Sequence, residues 1–192
     1  MMPIYQAAEF LVQISFNLFI LLLCLRWLLQ MVRADFYNPF SQLIVKLTSP
    51  VLRPLRRIIP GLLGIDWASV GLILGATALK LSLIFWLKTE QWPQALGLLI
   101  WAIGDGLQVI LNIFIFSILI RALMSWVPNM NHHPLAILLE QLTAPLLRPV
   151  RRRLPAFNGI DLTPLPVMIL LYLLVILTAM PLTNYGLGMA MH

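Results

Sequence analysis

The chain has 192 residues, 60% of them hydrophobic and only 10% charged, with a mean hydropathy of +0.91. A soluble domain carries about 25% charged residues, so this chain cannot cover a water-facing surface, and its solvent is mostly lipid. The net charge of +6 does not point to nucleic acid: eleven of the thirteen Lys and Arg lie in or just before two short motifs between apolar stretches. That is the distribution of cytoplasmic loops in a membrane protein, and no basic groove interleaved with aromatics accompanies it.

Met1 to Phe10 contain no Lys or Arg and one acid, Glu9. A secretory signal peptide needs a basic start and a small-residue cleavage site, so the first apolar stretch reads as a retained membrane helix. Crossing about 30 Å of hydrocarbon takes roughly 20 apolar residues, and Phe10 to Val32 supply the first span. Arg26 and Trp27 fall near its end, where a snorkelling charge and an interfacial ring fit. Cys24, the single cysteine, reads as a small apolar residue. The second span runs from Trp67 to Leu87, with Asp66 as its N-cap and Trp86 and Lys88 at its far exit.

Pro93 to Trp126 is too long for one crossing, since a single helix would extend about 50 Å. Gly104-Asp105-Gly106 divides it into a short outer helix over 93–103 and a third span over 107–126. One long tilted helix is the alternative, because Gly is tolerated in membrane helices. The fourth span covers Pro164 to Met180, capped by Asp161 or Thr163, with Pro164 in its first turn. The expectation is an all-α membrane protein with four transmembrane helices in two tandem parallel repeats, 1–92 and 93–192.

The repeat is explicit. Leu47-Thr48-Ser49-Pro50-Val51-Leu52-Arg53-Pro54-Leu55-Arg56-Arg57 returns 95 residues later as Leu142-Thr143-Ala144-Pro145-Leu146-Leu147-Arg148-Pro149-Val150-Arg151-Arg152. Gly64-Ile65-Asp66 returns as Gly159-Ile160-Asp161, and Asn17, Arg26 and Pro39 return as Asn112, Arg121 and Pro134. Asn38-Pro39 and His133-Pro134 are helix starts, from which short helices should run to Leu47 and Leu142 and stop at Pro50 and Pro145. Second short helices should begin near Pro54 and Pro149. Arg53, Arg56 and Arg57 share one face of the first, and Arg148, Arg151 and Arg152, continued by Arg153, form the basic side of the second. Leu52, Leu55 and Ile59, and Leu147, Val150 and Leu154, form apolar faces. Such helices lie in the headgroup plane, so the arginines are candidate contacts for anionic lipid or a protein partner.

Both arginine-rich loops follow odd-numbered spans. The positive-inside rule places them in the cytoplasm and both termini outside. Arg26 and Arg121 sit within apolar stretches and require partners. Asp66 and Asp161 open the returning helices at a similar depth, so the expected ion pairs are Arg26 with Asp66 and Arg121 with Asp161, or the same pairs crossed between repeats. Asn17 and Asn112 should face each other's repeat. Lys80 is an ammonium inside the second span, with Asp105 as its nearest partner. These four, Asn17, Lys80, Asp105 and Asn112, are a candidate ion path.

No phosphate-binding glycine loop, nucleophile elbow or carboxylate pair on one helix is present. His132, His133 and His192 lie outside the spans, so no transmembrane haem ligation, cofactor or metal site is expected, and neither is an enzyme.

Arg121-x-x-x-Ser125-Trp126-x-Pro128, then Pro134, Leu142-Thr143-x-Pro145-x-x-Arg148-Pro149-x-Arg151-Arg152-x-x-Pro155 and Gly159-Ile160-Asp161-x-Thr163-Pro164 resemble the YggT family, also called YlmG. The likeness covers nearly the whole chain and is fuller in the second copy. In the first, Gln30-Met31-Val32-Arg33 stands for Ser-Trp-Val-Pro and Trp67-Ala68-Ser69 for Leu-Thr-Pro. The resemblance implies a small integral protein of the bacterial inner membrane. It also implies family links to cytochrome b6 maturation and nucleoid organisation in plastids, to cell division, and to osmotic stress and cation homeostasis. The expected function is a non-enzymatic scaffold or assembly factor whose basic loops contact anionic headgroups or a membrane or cytosolic protein. The alternative is a small homo-oligomeric channel or transporter component.

Overall fold

The computed structural model describes residues 3–61, 66–127, 130–153 and 161–191. Its elements are α1 (Pro3–Met31), α2 (Pro39–Ile58), α3 (Trp67–Thr89), α4 (Ala95–Ser125), a 3-10 turn (Met130–His132), α5 (Pro134–Arg151), α6 (Pro164–Leu174), a π turn (Val175–Ala179) and α7 (Met180–Ala190). No strand occurs among the described residues. α1, α3, α4 and the continuous α6–α7 are each long and apolar enough to cross a membrane, and the chain is a multi-pass membrane protein. Helices close their own backbone hydrogen bonds, which lipid requires. Large side chains such as Phe10, Leu18, Leu99 and Leu177 point outward, where hydrocarbon replaces water.

Each repeat has a core built from equivalent positions. Leu23, Leu52 and Ala76 are buried in one cluster, and Ile118, Leu147 and Leu171, 95 residues on, in the other. α2 and α5 lie at the same end of the bundle. The Asn38 amide donates from Nδ2 to the Pro134 carbonyl at 2.7 Å, and Gln141 Oε1 accepts from the Asp35 backbone N–H at 2.9 Å. Asn38 and His133 cap the two helices through Phe40 N and Leu135 N.

Four expectations about the helices are corrected. The division of 93–126 into an outer helix over 93–103 and a span over 107–126 does not occur, since α4 runs unbroken from Ala95 to Ser125. Gly104 serves close packing instead of a turn, while Gly106 has open space beside it. A Cβ on Gly104 would stand 2.6 Å from Thr183 N, and Cβ atoms on Gly97 and Gly186 would collide with the backbones of Ala190 and Trp101. Small residues let membrane helices approach backbone to backbone, and α4 and α7 do so along their length.

The fourth span does not end at Met180. Pro181 has no N–H and would crowd the carbonyl one turn back. The π turn absorbs it: the Met180 N–H donates to Val175 O, five residues back, and the helix continues to Ala190. The helix that carries the first span, expected from Phe10, begins at Pro3.

α2 and α5 are not broken at Pro50 and Pro145. α2 is one helix of 20 residues and α5 one of 18. Hydroxyls just before the prolines bond back one turn: Thr48 Oγ1 donates to Ile44 O at 2.6 Å, Ser49 Oγ to Val45 O at 2.5 Å and Thr143 Oγ1 to Leu139 O at 2.7 Å. The apolar faces do not simply lie in lipid, because Leu52 and Leu147 are buried against the bundle. Leu154 and Pro155, the two Gly-Ile steps, Pro128 and His192 lie outside the described residues.

Candidate functional site

Two features bring the polar residues together: the arginine end of the bundle and a groove along its middle. At the arginine end the expected pairs do not form. Asp66 is taken by Arg56, whose Nε donates to Oδ2 at 3.1 Å and whose Nη2 makes a second, shorter contact. Asp161 is taken by Arg151, with Nε and Nη2 at 3.0 and 2.7 Å from Oδ2. Both arginines lie ten residues before their aspartate. The connection after α2 or α5 is short, so the last helical turn faces the start of the returning helix. That ten-residue spacing in both copies was the available signal.

Arg26 and Arg121 find other partners. Buried Arg26 donates from Nη1 to Thr48 Oγ1 at 2.7 Å, Ser49 Oγ at 3.1 Å and Val45 O at 3.2 Å. Arg121 donates to Glu140 Oε1 at 3.0 Å. Equivalent positions explain the difference: copy one has Val45 where copy two has Glu140, and Ser49 where copy two has Ala144. Each repeat compensates its intramembrane arginine with the acceptors its own second helix supplies.

The two aspartates also open the returning helices. Asp66 accepts from Ser69 N at 3.3 Å and Ser69 Oγ at 2.5 Å. Asp161 accepts from Thr163 N at 3.0 Å and Thr163 Oγ1 at 2.5 Å. Burial alone would raise the Asp66 carboxyl, but hydrogen bonds from Arg56 and Ser69 outweigh it and hold the group below the usual carboxylate range. Burial likewise opposes ionisation of Asp161, and Thr163 and then Arg151 lower it.

The other arginines of α2, of α5 and of the turn after α5 are free for other partners. Arg53, Arg57, Arg148, Arg152 and Arg153 are exposed and have no salt bridge among the described residues. Beside Arg53 and Arg57, α2 exposes Leu43, Leu47 and Val51 at one-turn spacing, with Leu43 and Leu47 each 52% accessible.

The groove has a volume of about 900 Å³. It is lined by equivalent residues of both repeats: Gln13 and Gln108, Asn17 and Asn112, Leu21 and Phe116, Leu25 and Ile120, Phe40 and Leu135, Ile44 and Leu139. It therefore lies on the pseudo-twofold axis that relates the copies. Asn17, Lys80, Asp105 and Asn112 all line it. Lys80 Nζ lies 2.6 Å from Asp105 Oδ2 and 3.1 Å from Asn17 Oδ1, so the partner expected for Lys80 is the one it has. Sequence reading overlooked Gln13 and Gln108, although their 95-residue offset was visible. It placed Lys88 at the far exit of the second span without its partner: Lys88 sits 2.6 Å from Glu9 Oε1 while Gln13 donates to the same oxygen at 2.9 Å.

Polarity divides the groove. Amides and charged groups occupy the half toward Lys88. Leu25, Leu29, Ile120, Leu138 and Leu142 line the half toward α2 and α5. The symmetry is broken at Lys80, whose equivalent is Val175, and at Asp105, whose equivalent is Phe10.

A family model described as CCB3/YggT matches residues 5–87 and 100–182. An uncharacterized protein of Pseudomonas aeruginosa is 41% identical over 166 residues, which are 86% of this chain and 84% of that protein. The uncharacterized protein YggT of Escherichia coli K12 is 40% identical over 168 residues, 86% of this chain and 85% of that protein. An uncharacterized protein of Haemophilus influenzae is 38% identical over 173 residues, covering 90% and 91% of the two chains. No solved structure matches the chain.

Proposed function

The chain belongs to the CCB3/YggT family, and on that premise we propose that it is a non-enzymatic scaffold or assembly factor of the bacterial inner membrane. Its basic helices α2 and α5 face the cytoplasm and hold anionic headgroups or a protein partner, and both termini lie outside. The observation that carries this reading is the division of labour among the arginines. Arg56 and Arg151 close structural ion pairs, while Arg53, Arg57, Arg148, Arg152 and Arg153 extend from the same end of the bundle with no salt bridge among the described residues. Each Lys or Arg near an anionic leaflet contributes about 1 kcal/mol, so five together make a strong surface anchor. The exposed Leu43, Leu47 and Val51 beside them suit a helix pressed into headgroups.

Three experiments test it. Reporter fusions after residues 60 and 155 should read cytoplasm, and one near residue 90 should read the opposite side. Native mass spectrometry should find phosphatidylglycerol retained over phosphatidylcholine, and replacing the five free arginines by Gln should abolish the preference. Photo-crosslinking from positions 57 and 152 in native membranes should then identify the protein partner. Equal retention of both lipids together with no protein crosslink would sink the reading.

A second reading, a homo-oligomeric component acting in ion or osmotic balance, has one observation behind it: Asn17, Lys80, Asp105 and Asn112 line a single groove. Against it stands the aliphatic half of that groove, whose floor is formed by α2 and α5. Conductance of purified protein in liposomes, abolished by Lys80→Met, would favour this second reading over the first.

A further inference from the structure

The groove has a size, a charge balance and a set of open amides that together point to one occupant. Its volume of about 900 Å³ is within the range of small-molecule sites. An apolar partner helix offers few groups to the amides and charged pairs of the polar half, so it fits poorly. A bare ion fits poorly as well, since one half of the wall is leucine and isoleucine.

Charge narrows the head of the occupant. Lys80 is matched by Asp105 and Lys88 by Glu9, so the polar half is neutral and offers a phosphate no unpaired cation. Amides remain. Gln108 and Asn112 make no side-chain hydrogen bond among the described residues, and Asn17 uses its oxygen while its NH₂ makes none. These amides open onto the groove with hydrogen-bonding capacity to spare. They are satisfied by a ligand that brings hydroxyl or carbonyl oxygens. The aliphatic half, continuous with the amides, takes a hydrocarbon chain.

We propose that the groove on the pseudo-twofold axis is a binding site for a neutral membrane lipid with one chain. The uncharged, oxygen-bearing head lies between Asn17 and Asn112, and the chain lies between Leu25 and Ile120. The duplicated amides can grip the head from both repeats, while the Lys80–Asp105 pair orders the polar half without adding net charge. The site is separate from the basic end, which selects anionic headgroups through its arginines.

The test uses purified full-length protein and monoolein carrying a photoreactive diazirine in its oleoyl chain. Labelled peptides should map to α1 around Leu25 and α4 around Ile120. Unlabelled monoolein should compete, and lysophosphatidylglycerol with the same oleoyl chain should not. Asn112→Leu and Gln108→Leu should each weaken competition about fivefold, the value of one net hydrogen bond. Ile120→Trp should block labelling by filling the chain half, and Ala122→Trp, outside the groove lining, is its bulk control. Gel filtration of each variant identifies any that misfold, and those are replaced by Asn112→Ala or Leu25→Phe. Labelling spread over outward residues such as Leu18 and Leu123 and undiminished by monoolein would overturn the proposal. So would equal competition by the anionic lipid.

Discussion

Lys80 Nζ and Asp105 Oδ2 stand 2.6 Å apart, an ammonium from the first repeat neutralising a carboxylate from the second. Lys80 is only about 3 Å along its helix from the midpoint of α3. Removing one partner of a buried pair leaves an uncompensated charge, a loss of roughly 3–5 kcal/mol, whereas replacing both by apolar groups is often close to neutral. Asp105 is partly open to the groove, so the lower figure applies. Lys80→Met should cost about 3 kcal/mol, and Lys80→Met with Asp105→Leu distinctly less. Thermal unfolding in detergent checks this. Additive losses would mean that the pair does not couple.

The arginine assignments give a second cycle. Arg56→Gln and Asp66→Asn should couple, as should Arg151→Gln and Asp161→Asn, each by about 1 kcal/mol, as expected for partly exposed ion pairs. Arg26→Gln and Asp66→Asn should be additive. Arg26→Leu should still be costly, because it strips a charged donor from Thr48, Ser49 and Val45 O. Coupling of Arg26 to Asp66 exceeding that of Arg56 would contradict the geometry.

The same aspartates set an acid limit. Both carboxyls are held below the usual range in the folded chain. A depressed folded pKa contributes stability above the unfolded value, about 3.9, and the contribution is lost as pH falls through the folded pKa. Stability in detergent should therefore fall on acidification below about pH 4. The fall should be shallower in Asp66→Asn and Asp161→Asn, and a drop of unchanged steepness in the double variant would assign it elsewhere.

Close packing of α4 on α7 predicts intolerance to a single methyl group. Gly104→Ala and Gly186→Ala place a Cβ against backbone and should cost about 1–3 kcal/mol each, the usual range for overpacking. Gly75→Ala, on a position with open space, should be neutral or stabilising. Melting temperatures of the three variants decide it.

Much of the architecture was legible in the chain. The spans, the caps Asn38, His133 and Asp66, and the Lys80–Asp105 pairing follow from local rules: hydrophobic length, side-chain acceptors before helix starts, and the cost of an isolated charge in lipid. The division at Gly104-Asp105-Gly106 failed because glycine has two uses in a membrane. It turns a chain in water, but between helices it removes a side chain so that backbones can touch. Only the backbone of Thr183 on the facing helix distinguishes them. The stop at Pro50 failed because a single missing N–H does not break a helix packed against the bundle, and at Pro181 a π turn shifts the bonding around the proline.

What the sequence determined by itself was the number of apolar helices, the duplication and the segregation of arginine, since these depend on composition and periodicity along one chain. Which partner each buried charge chose was decided only by the tertiary structure. Arg26 and Arg121 are equivalent in sequence and differ in partner because the acceptors come from Val45 or Glu140 and Ser49 or Ala144, one helix away. The groove is likewise a tertiary property. Gln13, Asn17, Gln108 and Asn112 are scattered amides until packing sets α1 and α4 on either side of one axis. An amide there acquires meaning because its equivalent from the other repeat opens onto the same groove.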